Sequence, residues 1–324
     1  MSLVSKDLPA FIAGDWGTSN LRLTLCDTEG RPLDTRKGPG AAEARGRHAE
    51  IFDAETAAWR NQHGELPAVL SGMAGSTIGW LEVPYLPCPA ELDELAENPA
   101  RVRDRVFIVS GMRCVNPLGA PDVMRGEETQ LLGARHVDAS LEKGKRLVCM
   151  PGTHTKWVSL HEEVVQEFLT APTGELFAML CEHSVLVRDK ATPVTYQPAD
   201  FERGLAESAR HPEVNLLHRL FQSRSLRIDK QLTAEGAASW MSGLLIGSDV
   251  GGALALFADL PRASPVFVIG AAHLTESYSR ALARHGRKVA CIDGDEAALA
   301  GLTYVHQELA RQKKHEPQIM SPES

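Results

Sequence analysis

The pattern that most restricts this chain is a strand–turn–strand unit that occurs twice. Phe11-Ile12-Ala13 leads into a turn at Gly14 to Gly17. Leu21, Leu23 and Leu25 then alternate with Arg22, Thr24 and Cys26, a period of two that predicts a strand. Asp27-Thr28-Glu29-Gly30 turns the chain into a further strand. The second occurrence starts with the apolar run Arg146 to Met150, passes through Pro151-Gly152-Thr153 and resumes at Trp157, Val158 and Leu160. His161-Glu162-Glu163 turns that strand into Val164 to Thr170. Gly152-Thr153 stands 135 residues after Gly17-Thr18, and Leu160 the same distance after Leu25. A single offset with no gap points to two related halves.

The rest of the chain fits that division. Apolar spacing predicts a helix from about Ala42 to Gln62, short strands at Pro67 to Leu70 and Val106 to Val109, and a helix from Glu127 to Val137. The second half reads as helices at Gly174 to His183, Thr233 to Phe257, His273 to His285 and Glu296 to Gln312. Strands at Val266 to Ile269 and Val289 to Ile292 lie among them. Strands mixed with helices in each half predict two α/β domains, 1–143 and 144–313, with a polar tail at 314–324. A length of 324 residues suits two domains of ordinary size.

Charge and composition then remove several classes. The formal net charge is −8, a poor match to a nucleic-acid backbone, so any anion must be held in a local pocket. The most apolar stretch, Met241 to Phe257, is interrupted by Asp249 and several glycines and predicts no membrane span. The first residues lack a basic region followed by an apolar signal core, and the six cysteines form no CxxC pair. A cytoplasmic protein with reduced thiols is the expectation, with no nucleic-acid or membrane partner and a homo-oligomer left open.

Three segments carry chemistry. In Asp15-Trp16-Gly17-Thr18-Ser19-Asn20, glycine lets a phosphate approach the backbone N–H groups, and the Thr18 and Ser19 hydroxyls can donate to its oxygens. Asp15, at the strand end, could hold a magnesium ion directly or through water. The same residues would also make an ordinary hairpin with capping hydroxyls. Pro151-Gly152-Thr153-His154-Thr155-Lys156-Trp157 repeats the ingredients with a lysine in place of the acid. Two such turns facing each other would clamp a triphosphate, His154 donating a hydrogen bond and Lys156 supplying charge. In Val268-Ile269-Gly270-Ala271-Ala272, small residues at a strand-to-helix turn would let a flat ring lie against the backbone; close packing alone would give the same pattern.

In this order the three segments resemble the phosphate and adenosine motifs of the nucleotide-binding superfamily of actin, sugar kinases and 70-kDa heat-shock chaperones. More closely, the chain resembles the 2-dehydro-3-deoxygalactonokinase family through GDWGTSNLR (14–22), LSGMAGSTIGW (70–80), MRGEETQLLG (124–133), MPGTHTKWV (150–158), APTGELF (171–177) and VIGAAHL (268–274). The resemblance implies two ribonuclease H-like (actin-like ATPase) domains with an interdomain nucleotide cleft. It also implies transfer of phosphate from ATP, with Mg2+, to the C6 hydroxyl of 2-dehydro-3-deoxy-D-galactonate. Gly17, Thr18, Ser19, Gly152, Thr153, His154, Thr155, Lys156, Gly270, Ala271 and Ala272 would then bind nucleotide.

Sugar kinases of the glycerol and xylulose type carry a Gly-Asp-Gln-Gln segment whose aspartate faces the acceptor hydroxyl. Gly126-Glu127-Glu128-Thr129 occupies that place here, which implies Glu127 as the base, with Glu128 an alternative. Either acid could instead serve the first turn of a helix. Acceptor contacts are expected from the open backbone of Ser71-Gly72-Met73-Ala74-Gly75, and Arg22, Arg113 or Arg125 would meet the carboxylate. A kinase for a related sugar acid or hexose, or a non-catalytic actin- or chaperone-like ATP-binding protein, remains open from sequence alone.

Overall fold

The computed structural model describes residues 8–187, 196–211 and 213–315. It divides into two units, one formed by the chain up to Cys114, Val123–Ser140 and the residues from Asp295 onward, the other by Val115–Asp122 and Leu141–Gly294.

In chain order the first stretch comprises β1 Phe11–Trp16, β2 Asn20–Cys26, β3 Pro32–Pro39, α1 His48–His63, β4 Ala68–Gly72, β5 Leu86–Pro87 and β6 Ala90–Glu91. α2 Glu94–Glu97, β7 Ala100–Arg103, β8 Val106–Ile108, β9 Met112–Val115, β10 Pro121–Met124 and α3 Glu127–Val137 follow. The main sheet of the first unit runs β3-β2-β1-β4-β8-β7. β1 to β3 form an antiparallel meander, and β4 and β8 join in parallel beyond β1. Ile12, Trp16, Leu21, Leu23, Phe52 and Leu70 fill its core, so the alternation in β2 reflects one face against helix α1. Helix α1 starts later than its apolar spacing suggested. The N–H groups of Ala41 and Ala42 turn back to the carbonyls of Gly17 and Thr18, and Gly46 adopts a positive φ before the helix can begin.

The second stretch comprises β11 Lys145–Met150, β12 Thr155–His161, β13 Val164–Ala171, α4 Thr173–His183, α5 Pro198–Arg210, α6 Leu216–Leu220, α7 Gln222–Ile228 and α8 Ala234–Leu256. β14 Val266–Gly270, α9 Ala272–Arg284, β15 Val289–Asp293 and α10 Gly294–His315 complete the chain. Its sheet order, β15-β14-β11-β12-β13, mirrors β8-β4-β1-β2-β3 of the first unit, with the same parallel and antiparallel pairings. The halves therefore share a topology. The gap-free offset fails by one residue, however: Asp15 pairs with Arg22, whereas Met150 pairs with Lys156, because the second turn is one residue shorter. Met241 to Phe257 falls largely within α8, whose buried residues pack on α5 and the core. Among the described residues no helix is long and apolar enough to cross a membrane.

The boundaries differ from 1–143 and 144–313 at the C-terminal end. Helix α10 belongs to the first unit, where it crosses α3 on glycines. A Cβ on Gly133 would overlap the Ala297 carbonyl, and one on Gly301 would overlap that of Thr129. Tyr304 donates to Asp93 at 2.7 Å, and His306 stacks on Phe11 at 4.3 Å. The expected tail begins inside α10 at Lys314; residues 316–324 lie outside the described residues. Gly133→Ala is expected to lower stability by about 1–3 kcal/mol, since backbone rather than a pliable side chain must give way. An unchanged urea midpoint would remove the close helix crossing from the account.

Candidate active site

The first unit gathers its chemistry around two glycines. Asp15, one residue before the end of β1, pairs with Arg22 on β2 and with Ser71 on β4. Gly72 follows with φ near +76°, and a Cβ there would lie 2.9 Å from the Trp16 carbonyl and 3.4 Å from the Asp15 carboxylate. Gly126, at the N-cap of α3 with φ +111°, comes against Gly72: its Cβ would lie 3.4 Å from the Gly72 Cα. A residue without a side chain is needed at each, and together they bring the start of α3 beside the end of β1. Burial raises the Asp15 pKa, Arg22 opposes the rise and Asp295 adds to it. Arg22 itself pairs with Asp295 at 2.5 Å, in the first turn of α10.

The two glutamates differ sharply. Glu128 is fully buried, and both of its carboxylate oxygens accept the Gly126 N–H, at 2.8 and 2.7 Å. Burial, reinforced by Glu127, pushes its pKa up to about 8. It closes the helix start from within. Glu127 is half-buried, and its carboxylate accepts the Arg125 N–H at 3.0 Å. Only Glu127 keeps a route to a solute.

The turn bearing Thr18 and Ser19 leaves both residues exposed, while the Gly17 and Thr18 carbonyls are taken by Ala41 and Ala42. The expected acceptor loop is less open than its composition suggests. Met73–Gly75 is a short 3-10 turn whose carbonyls accept the N–H groups of Ser76, Trp80, Leu81 and Val83, and the Ser71 hydroxyl is buried, 3.5 Å from the Gly14 carbonyl. Of the three arginines, Arg113 is exposed on β9 and Arg22 is held by Asp295. Arg125 donates through Nη2 to the Val83 carbonyl at 2.7 Å and lies over Tyr85 at 4.2 Å. Its buried Nε and Nη1 have no hydrogen-bond partner.

In the second unit, Thr153 and His154 are exposed at the turn, and His154 Nε2 donates to the Glu175 carboxylate at 3.0 Å. Gly174 packs on the Gly152 carbonyl, and the Glu175 N–H donates to the Thr153 carbonyl at 2.9 Å, so the turn sits on the start of α4. Two of the expected ligands are turned inward from it. Thr155 is fully buried and shares its hydroxyl with Tyr278 at 2.8 Å, while Lys156 is buried and donates to Thr170 at 2.8 Å. Both faces of β12 are covered there, which pulls the lysine inward instead of leaving it at the turn. Gly152 and Gly174 line one part of a cavity of about 590 Å³ that also takes in Phe177, Tyr196, Ser242 and His273. Gly270 ends β14, and Ala271 and Ala272 lead α9 into this cavity's wall at His273.

Residues 15–305 match the family described as 2-keto-3-deoxy-galactonokinase. This chain belongs to that family. Among 2-keto-3-deoxy-galactonokinase relatives, the 2-dehydro-3-deoxygalactonokinase of Escherichia coli is 34% identical over 295 residues, 90% of this chain and 96% of its own. A Rhizobium meliloti protein described as a probable 2-dehydro-3-deoxygalactonokinase is 36% identical over 301 residues, 90% of this chain and 95% of its own. The crystal structure of a Sinorhizobium meliloti protein carrying the same description superposes with a TM-score of 0.82 at 35% identity, covering 92% of this chain and 99% of that one. The ADPNP-bound activator of the 2-hydroxyisocaproyl-CoA dehydratase from Clostridium difficile shares the fold at a TM-score of 0.51 and 10% identity, over 96% of this chain and 99% of its own.

Two acids of this family member escape motif reading. Asp295 reaches the Asp15 surroundings from the far end of the chain, and its only local signal is the Asp-Gly-Asp run at 293–295. Asp249 stands out in sequence only as a charge inside an apolar stretch.

Proposed function

We propose that this chain transfers the γ-phosphoryl group of ATP to O6 of 2-dehydro-3-deoxy-D-galactonate, giving the 6-phosphate and ADP in galactonate breakdown in the cytoplasm. Family membership supports the reaction. The observation that carries the site is that Asp15 and the start of α3 rest on the same pair of glycines, Gly72 and Gly126. That arrangement brings a phosphate-side acid and a half-buried glutamate to one edge of the first unit's sheet.

In this reading the exposed Thr18 and Ser19 hydroxyls donate to phosphate oxygens. The Gly152-Thr153 turn receives phosphate on the second unit, and the 590 Å³ cavity beside His273 receives the nucleoside. Glu127 accepts the O6 proton as the phosphoryl group arrives. Arg125, whose Nε and Nη1 lack partners, is the arginine best suited to the sugar-acid carboxylate. Asp15 fits Mg2+: it offers a hard oxygen donor, and its raised pKa marks a carboxylate whose charge the protein under-compensates, a deficit that a cation relieves. The ion would neutralise charge on the phosphates. Phosphoryl transfer depends on positioning and charge neutralisation more than on the base, so these contacts should outweigh Glu127 in energy.

An ADP-release assay over a panel of sugar acids and neutral sugars tests the reading. ADP should form with 2-dehydro-3-deoxy-D-galactonate and fall away with neutral hexoses. ATP turnover indifferent to the acceptor, or driven by a hexose, would overturn it.

A further inference from the structure

Asp249 is a half-buried carboxylate on α8, the most apolar of the described helices, and withdrawing it from water is costly unless its oxygens are satisfied. Three side chains from three other elements satisfy them. Trp157 Nε1 on β12 donates at 2.8 Å, Thr173 Oγ1 at the start of α4 at 2.7 Å, and Tyr278 OH on α9 at 2.7 Å. None of these partners is charged. Burial raises the Asp249 pKa while all three hydrogen bonds pull it back down.

An ionised carboxylate can only accept, so it fixes the direction of the whole cluster. Thr173 and Tyr278 must both donate to Asp249. With its proton so committed, Tyr278 can only accept from Thr155, 2.8 Å away. The hydroxyls are thus spent on a frame rather than offered to a ligand. The frame surrounds the Gly152-Thr153 turn: β12 leaves that turn at Thr155, and α4 seats Gly174 and Glu175 on Gly152 and Thr153. Thr173 and Tyr278 also line the 590 Å³ cavity.

We propose that Asp249 is a positioning residue for the nucleotide phosphates, holding β12, α4 and α9 together so that the Gly152-Thr153 turn keeps a fixed geometry. The proposal rests on the ATP reading above. It separates two roles that such an acid can have. A purely structural carboxylate would change stability and leave nucleotide affinity alone; a positioning one changes affinity for ATP and spares the sugar acid.

Asp249→Asn preserves shape. The amide oxygen must face Trp157, which can only donate, so the amide nitrogen faces Thr173 and Tyr278 and reverses their polarity. Neutral hydrogen bonds then replace charge-assisted ones of roughly twice the strength. The full chain carrying Asp249→Asn would be compared with wild type by ATP calorimetry, by KM for ATP and for the sugar acid, and by thermal midpoint. The dissociation constant and KM for ATP should rise about tenfold, with KM for the sugar acid held within about twofold. Tyr278→Phe, which deletes one hydroxyl from the frame, should give the same selective effect at about threefold and carries the test if Asp249→Asn does not fold. Combining both changes should add little beyond Asp249→Asn alone, since they dismantle one frame. A lowered melting midpoint with unchanged ATP affinity in either folded variant would overturn the proposal. Failure of the wild-type chain to bind ATP would overturn the ATP reading itself, and this inference with it.

Discussion

Replacing Asp15 by Asn is expected to reduce turnover by at least about a thousandfold while leaving the fold intact. Electrostatic help from a metal beside the transferring phosphate is worth several kcal/mol, and each 1.36 kcal/mol is a factor of about ten in rate. An amide keeps the size of Asp15 and its place between Arg22 and Ser71, but it lacks the charge a hard cation requires. Stability should move the other way. Folding raises the Asp15 pKa, so its ionised form costs stability that the neutral amide does not. The ligand-free variant should therefore melt at the wild-type temperature or above it, as expected where function is maintained against stability. Turnover within tenfold of wild type would take Asp15 out of the site. A collapsed melting transition would instead make it a structural acid.

The topology was readable because strand–turn–strand signals are local: the alternation in β2, the apolar run of β11 and the glycine turn after the first strand of each half each span only a few residues. Asp15, Gly17 and Glu127 could be singled out as candidates for the same reason, each standing at a chain reversal or helix start. What sequence reading missed depends on contacts between distant segments. Lys156 looked available for phosphate because nothing nearby shows that both faces of β12 are covered. Asp249 finds its partners at 157, 173 and 278, too far apart for any spacing rule. The placement of α10 in the first unit rests on Gly133 and Gly301 admitting a close helix crossing, and small residues leave no periodic signature of which helix they will meet. The openness assigned to Met73–Gly75 failed because glycine and alanine imply accessible backbone only until the chain's own N–H groups claim it.

Glu127→Gln is expected to lower turnover by ~10²–10⁴-fold, the usual contribution of a positioned general base. The substitution isolates the charge. Gln can still accept the Arg125 N–H through its amide oxygen, so the loop before α3 should keep its course. Nucleotide affinity should stay near wild type, because the Gly17-Thr18 and Gly152-Thr153 turns are untouched. Glu128→Gln provides the contrast. Glu128 is sealed inside α3, and an amide oxygen can replace the carboxylate oxygens that accept from Gly126. Turnover should change little, but the pH dependence of stability should flatten. With a folded pKa of about 8 against an ordinary 4.5, the stabilisation from protonated Glu128 is complete below the lower value and lost as pH rises through the higher one. Melting midpoints across that window should fall with pH in the wild type and fall less in Glu128→Gln. Single-turnover phosphorylation and calorimetry separate chemistry from binding. Loss of turnover in Glu128→Gln with retention in Glu127→Gln would shift the base by one residue. Retention in both would mean that positioning alone drives the transfer or that the base lies elsewhere.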